Sequence, residues 1–183
     1  DQNYYRDMET RYEKLTSPYC KKMVGPKYAL LRPEFKEERG NLKARDGTVK
    51  RIFVFFGAND PTNETGKTLR AIQQLSRVDI AIDVVLGATN QYHEDIDNLC
   101  SALPEVKLHQ QVNNISKLMA RADLAIGAGG STTWERCCMG LPVIVMSIAK
   151  NQQSICENLV RSGNVFYLGK SEDVGMELLK GAL

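Results

Sequence analysis

The 183 residues hold only two histidines, one tryptophan and an odd number of cysteines, five. Each scarcity excludes something. His93 and His109 do not fall at ligand spacing with any cysteine pair, so the sequence gives no support to a zinc site. Five cysteines without a repeated spacing do not make a disulfide framework. Cys137 and Cys138 are neighbours inside an apolar helical pattern, a poor geometry for bridging each other. Free, largely buried thiols in a reducing cytoplasm are the expectation. No apolar run approaches the ~18–20 residues that cross a bilayer, and no signal-peptide pattern opens the chain. An excess of one charge is missing as well. With 24 basic and 22 acidic residues the formal charge is +2, and no basic stripe carries interleaved aromatics, so nucleic acid is not an expected partner. The early basic positions, from Lys21 to Arg51, read as solvated surface.

What remains is ordinary globular material. A hydrophobic fraction of 43% with 25% charged residues supplies a substantial core for one domain. Because the chain starts at Asp1 without a methionine and stops at Leu183 just after a helical pattern, a piece of something longer is expected.

The first forty residues are weakly patterned. Tyr4 to Leu15 reads as helix or linker, Tyr28 to Leu31 as extended chain, and the charged Lys36-to-Gly47 stretch as a loop ending in an Asp46-Gly47 turn. Residues 1–48 are thus expected to be an interdomain lead-in and loop, its charged Glu34-to-Arg45 part solvated. Regularity begins at Lys50. Ile52–Phe56, Ile80–Leu86, Val106–His109, Asp123–Ile126, Val143–Met146 and Val165–Leu168 read as short buried strands. Helical patterns separate them, one of them running from Tyr92 to Leu103. This alternation predicts an α/β fold over residues 49–183: a doubly wound, mostly parallel, six-stranded Rossmann-like sheet. Ligands are then expected at the carboxyl ends of the strands.

The strongest local signal is Gly127-Ala-Gly-Gly-Ser-Thr-Thr-Trp-Glu135. Its glycines follow a strand and open a helix, where unpaired backbone amides and the helix dipole favour an anion such as a diphosphate. Ser131 and Thr132 add hydroxyl donors. Glu135, one turn on, suits the diol of a ribose. The alternative is plainer: the glycines serve a tight turn, Ser131 caps the helix and Glu135 completes a capping box. The spacing is neither the dinucleotide fingerprint nor a Walker A loop. A second loop, Gly57-Ala-Asn-Asp-Pro-Thr-Asn63, also joins a strand to a helix, with Asp60 or Thr62 as a plain cap in the alternative reading. Asn151 and Gln152 follow the fifth strand, and their carboxamides suit sugar hydroxyls and acetamido groups. Trp134 reads as a core or interface aromatic, and the two histidines as ordinary residues.

Gly25-Pro-Lys-Tyr-Ala-Leu-Leu-Arg-Pro-Glu-Phe35, Phe55-Phe-Gly-Ala-Asn-Asp-Pro61, the stretch from Gly127 through Glu135 to Pro142, and Asn151-Gln152 resemble the UDP-sugar hydrolases of the pseudaminic-acid pathway. The glycine-rich stretch more distantly resembles the peptidoglycan UDP-GlcNAc transferases. The resemblance implies a GT-B enzyme, with this chain as its C-terminal domain and an N-terminal domain as its partner. Its ligand would be UDP or a UDP-sugar, a 2,4-diacetamido-2,4,6-trideoxy-altropyranose derivative in the hydrolases. It implies Gly129, Gly130, Ser131 and Thr132 at the diphosphate, with Gly57, Asn59 and Asp60 lining that side. Glu135 is implied at the ribose, the backbone from Asn113 to Ile115 at the uracil, and Asn151 and Gln152 at the sugar or phosphate. No metal or cofactor is implied, and water is the acceptor. The catalytic base is implied to be a histidine in the N-terminal domain. Neither His93 nor His109 has that context.

Overall fold

A short 3-10 turn (Pro26–Tyr28) and helix α1 (Pro33–Gly40) precede a regular alternation. It runs β1 (Arg51–Phe55), α2 (Glu64–Leu75), β2 (Ala81–Leu86), α3 (His93–Ser101), β3 (Val106–Gln110), α4 (Ile115–Arg121) and β4 (Leu124–Ala128). Then come α5 (Thr132–Cys138), β5 (Val143–Ser147), α6 (Lys150–Arg161), β6 (Phe166–Lys170) and α7 (Met176–Ala182). This is a computed structural model, and it describes residues 1–5, 7–75, 79–161, 163 and 165–183. The six strands form one sheet in the order β3-β2-β1-β4-β5-β6, and every neighbouring pair is parallel.

Alternation along each strand divides the core in two. Ile52, Val54, Ile82, Val84, Ile126 and Met146 meet α2, α3 and α7 on one face. Phe53, Val85, Ala125, Val143 and Val145 meet α1, α4 and α6 on the other. Strands covered on both faces have no need of polar alternation, which is why they read as continuous apolar runs. Trp134 is a core residue, packed with Ile155 and Leu159 between α5 and α6.

A fully buried carboxylate interrupts the apolar run of β2. Asp83, fully buried in β2, receives Nη1 of Arg51 at 3.1 Å, Nε of Arg121 at 3.1 Å and the His109 ring at 2.7 Å. His109 is therefore held within the sheet. Burial pushes the Asp83 carboxyl up, but its hydrogen bonds to His109, Arg121 and Arg51 outweigh this and hold it below the usual aspartate range.

The lead-in departs from expectation. The charged stretch read as solvated loop contains α1, and Phe35 on it is 0% exposed within the second core. Arg45 donates to the carbonyls of Met119, Ala122, Met139 and Gly140, while Arg39 donates to that of Cys138. These carbonyls lie at or near the carboxyl ends of α4 and α5, and the guanidinium fork of Arg45 reaches several at once. Sequence patterning counts an arginine as solvated and cannot see such a partner. Asp7 to Leu15 form turns, Tyr4 and Tyr5 have no regular structure, and Arg6 lies outside the described residues. Tyr28 closes the 3-10 turn and extended backbone begins at Ala29. The Asp46-Gly47 turn forms, with the Thr48 amide donating to Asp46. Among the described residues no helix is long and apolar enough to cross a membrane.

Candidate functional site

Between β1 and β4 the chain order reverses, so the loops leaving these two strands diverge to opposite faces and open a crevice at their carboxyl ends. A cleft of about 230 Å³ lies there, lined by Gly57, Asn59 and Asp60 from the first loop, Gly130, Ser131 and Thr132 from the second, Ile148 just after β5, and Gln152 on α6. Larger hollows, of about 490 and 620 Å³, lie elsewhere. They include Pro142 and Val143 in one case and Lys50 and Asp123 in the other, at the amino ends of strands, where parallel sheets do not place ligands.

The first loop is fixed from within. Asp60, 1% exposed, accepts the amides of Glu64 and Thr65 at 2.9 and 2.8 Å, so its carboxylate fills the amino end of α2. The plain capping alternative is the one realised, and that helix start is closed to a ligand anion. Asn59 accepts the Thr89 hydroxyl. Gly87 lets the loop after β2 press against Ala58, since a Cβ there would sit 2.2 Å from the Ala58 carbonyl oxygen.

The second loop is open. Among the described residues the amides of Gly130, Ser131 and Thr132 have no intramolecular acceptor, and Ser131 makes no side-chain cap. The capping box of the plain alternative is therefore absent. Gly129 is required by close packing: a Cβ there would fall 2.2 Å from Sγ of Cys156 on α6. From the first turn of α6, Gln152 accepts the Ile148 amide at 3.0 Å through Oε1. Its Nε2 lies 3.5 Å from where a Gly130 Cβ would be, so its donor side faces the open loop.

Five sequence candidates, Asn113, Ile115, Gly129, Glu135 and Asn151, lie outside this lining. Asn151 is exposed on the first turn of α6, and Asn113 is exposed before α4. The Ile115 side chain is 5% exposed and belongs to the core, which leaves only its backbone for a ligand. Glu135 sits on α5 and meets Nη2 of Arg32 at 3.4 Å. Burial raises its carboxyl above the usual glutamate range, an effect the Arg32 guanidinium partly offsets.

Two arginines escaped the sequence reading. Arg32 lies inside the Gly25–Phe35 stretch, yet nothing local announces its partner 103 residues away. Arg136 is 1% exposed and donates to the Ala128 carbonyl at 2.7 Å, directly behind the glycine-rich loop. Its position among Trp134, Cys137, Cys138 and Met139 was a signal: a lone cation in an apolar helical pattern.

Sheet order, double winding and a polar crevice at the reversal define a doubly wound Rossmann-like domain. The chain is 31% identical over 160 residues to the spore coat polysaccharide biosynthesis protein SpsG of Bacillus subtilis, which covers 85% of this chain and 46% of SpsG. It spans less than half the length of the curated relatives it matches. Among solved structures it superposes on MurG of Acinetobacter baumannii with a TM-score of 0.60 at 19% identity, covering 81% of this chain and 43% of MurG. UDP-GlcNAc 2-epimerase from Neisseria meningitidis, solved with UDP-GlcNAc bound, gives 0.59 at 17% identity, covering 80% and 39%. No family model matches the chain.

Proposed function

We propose that this chain is the UDP-binding half of a nucleotide-sugar hydrolase that releases UDP from a diacetamido-trideoxy sugar in pseudaminic acid synthesis. The observation that carries the proposal is the open second loop. Among the described residues the amides of Gly130, Ser131 and Thr132 are unpaired, and these residues line a cleft shared with Gln152 and the Gly57–Asp60 loop. Amides without an internal acceptor suit a diphosphate, because each charge-assisted hydrogen bond they gain replaces no protein contact.

In this reading Gly129 to Thr132 hold the diphosphate with Gln152, and the loop at Gly57 and Asn59 lines its other side. Asp60 acts indirectly, by fixing that loop. Glu135 holds the ribose once Arg32 yields, the backbone from Asn113 to Ile115 meets uracil, and Asn151 lies toward the sugar. Water attacks the anomeric carbon, the bond from that carbon to the diphosphate oxygen breaks, and the electron pair leaves with UDP. The loop amides stabilise the charge arriving there. The proton of the attacking water goes to a histidine base outside this chain, as the family resemblance implies. His109 is bound to Asp83 in the sheet and His93 opens α3, so neither is placed for this work. Residues 1–48 join the two halves, and the isolated chain is expected to bind UDP and hydrolyse little.

Titration of the chain with UDP, followed by amide NMR, tests the binding. Shifts centred on Gly129 to Glu135 are expected, and a response confined to other residues overturns the proposal. The reaction is decided with the full-length protein: free sugar and UDP in equal amounts mark a hydrolase. The similarity to SpsG, a polysaccharide biosynthesis protein, favours a glycosyltransferase as second reading. That reading requires the sugar to leave only when an acceptor is supplied.

A further inference from the structure

Among the described residues Arg136 forms no direct ion pair, and the nearest opposite charge acting on it is Glu135. Its side chain is fully enclosed, and one of its nitrogens, Nη2, is satisfied by the Ala128 carbonyl at 2.7 Å and the Thr133 hydroxyl at 3.1 Å. Nε and Nη1 are buried and have no hydrogen-bond partner among the described residues. No carboxylate ion pair to Arg136 occurs among the described residues, and the adjacent Glu135 is committed to Arg32. Burial lowers the guanidinium to about 10, so the group stays protonated at neutral pH.

An enclosed charge is costly unless something of opposite sign compensates it. Its position shows where compensation comes from. Nη1 lies 2.8 Å from where a Cβ on Gly127 would be, and Nη2 binds the carbonyl of the next residue, so the guanidinium underlies the start of the glycine-rich loop. That bond turns the Ala128 carbonyl inward, which keeps its negative oxygen from an incoming anion. Helix α5 cannot supply much charge by itself. Its seven residues span only about 10 Å, so the dipole's two ends lie close together and partly cancel.

We infer that Arg136 is a positioning residue for the diphosphate, acting from behind the loop: it holds Ala128 and supplies the positive charge that the loop amides present to the phosphates. This rests on the diphosphate reading of the cleft. A buried charge acts through protein rather than through screening solvent, so its effect should scale with ligand charge and resist salt.

The test compares UDP with uridine by calorimetric titration in wild type, Arg136→Gln and Arg136→Lys. Arg136→Gln is expected to weaken UDP about ten- to thirty-fold while uridine changes less than about two-fold. Arg136→Lys should keep the preference for UDP near neutral pH and lose it at a lower alkaline pH than wild type, as a buried amine sheds its proton before the buried guanidinium does. Equal weakening of both ligands in Arg136→Gln assigns a merely structural role and overturns the inference. So does an unchanged UDP-to-uridine ratio. If Arg136→Gln does not fold, the lysine variant decides: a preference lost at neutral pH, or kept unchanged to pH 10, overturns it. Failure of the wild type to bind UDP instead rejects the diphosphate reading itself.

Discussion

Glu135 on α5 and Arg32 just before α1 meet at 3.4 Å, and Arg32 reaches Glu34 at 3.3 Å through its other terminal nitrogen. The carboxylate proposed for a ribose is thus engaged by a residue 103 positions away in the chain. Binding a diol there means exchanging one charge-assisted partner for another.

Replacing Glu135 separates binding from stability. Because its folded-state pKa is raised, chiefly by burial, ionised Glu135 costs stability as pH rises from the ordinary glutamate value through the raised one. Glu135→Gln should therefore melt no lower than wild type at neutral pH. It should weaken UDP by about 1–3 kcal/mol, the worth of hydrogen bonds to a charged acceptor. Thermal melts and calorimetric titration on one preparation check both halves.

Asp60 is expected to behave as a structural residue. Asp60→Ala strips two amides of α2 of their acceptor and should cost about 1–2 kcal/mol in urea unfolding. UDP affinity should fall less than in the Glu135 variant. A larger loss of affinity than of stability would place the carboxylate on the ligand instead.

Gly129 and Cys156 should be coupled. A methyl on Gly129 meets Sγ of Cys156 at 2.2 Å, so Gly129→Ala forces α6 or the loop to move, at a cost of about 1–3 kcal/mol. Cys156→Ala opens that space. The double variant should be more stable than the sum of the two single effects implies, by more than about 0.5 kcal/mol. Strict additivity in a double-mutant cycle refutes the contact.

Acid stability should depend on Asp83. Its carboxyl is depressed in the fold, so it contributes stability above the unfolded value of about 3.9, and that contribution is lost as pH falls through the folded value. Asp83→Asn should flatten the fall in unfolding free energy below about pH 4. At neutral pH it should cost about 2–4 kcal/mol, less than a fully enclosed pair, because Arg51 and Arg121 are partly exposed. Urea titrations from pH 3 to 7 measure both.

From Arg51 onward, elements were legible because the inner strands, covered on both faces, are largely apolar and their helices must carry an apolar stripe. The glycine-rich loop was legible for a related reason: Gly129 admits nothing larger against Cys156. The lead-in was misread where polar atoms carry the packing. Arg39 and Arg45 look solvated in a pattern of hydrophobicity, yet they satisfy helix-end carbonyls that only the folded chain brings to them.

The amino-acid sequence alone determined the doubly wound class, since period and punctuation are local properties of the chain. Tertiary structure alone decided which polar groups remain free. Whether Asp60, Ser131, Glu135 or Arg136 faces a ligand or another part of the protein depends on partners distant in sequence, and hydrogen bonding is settled by proximity in space.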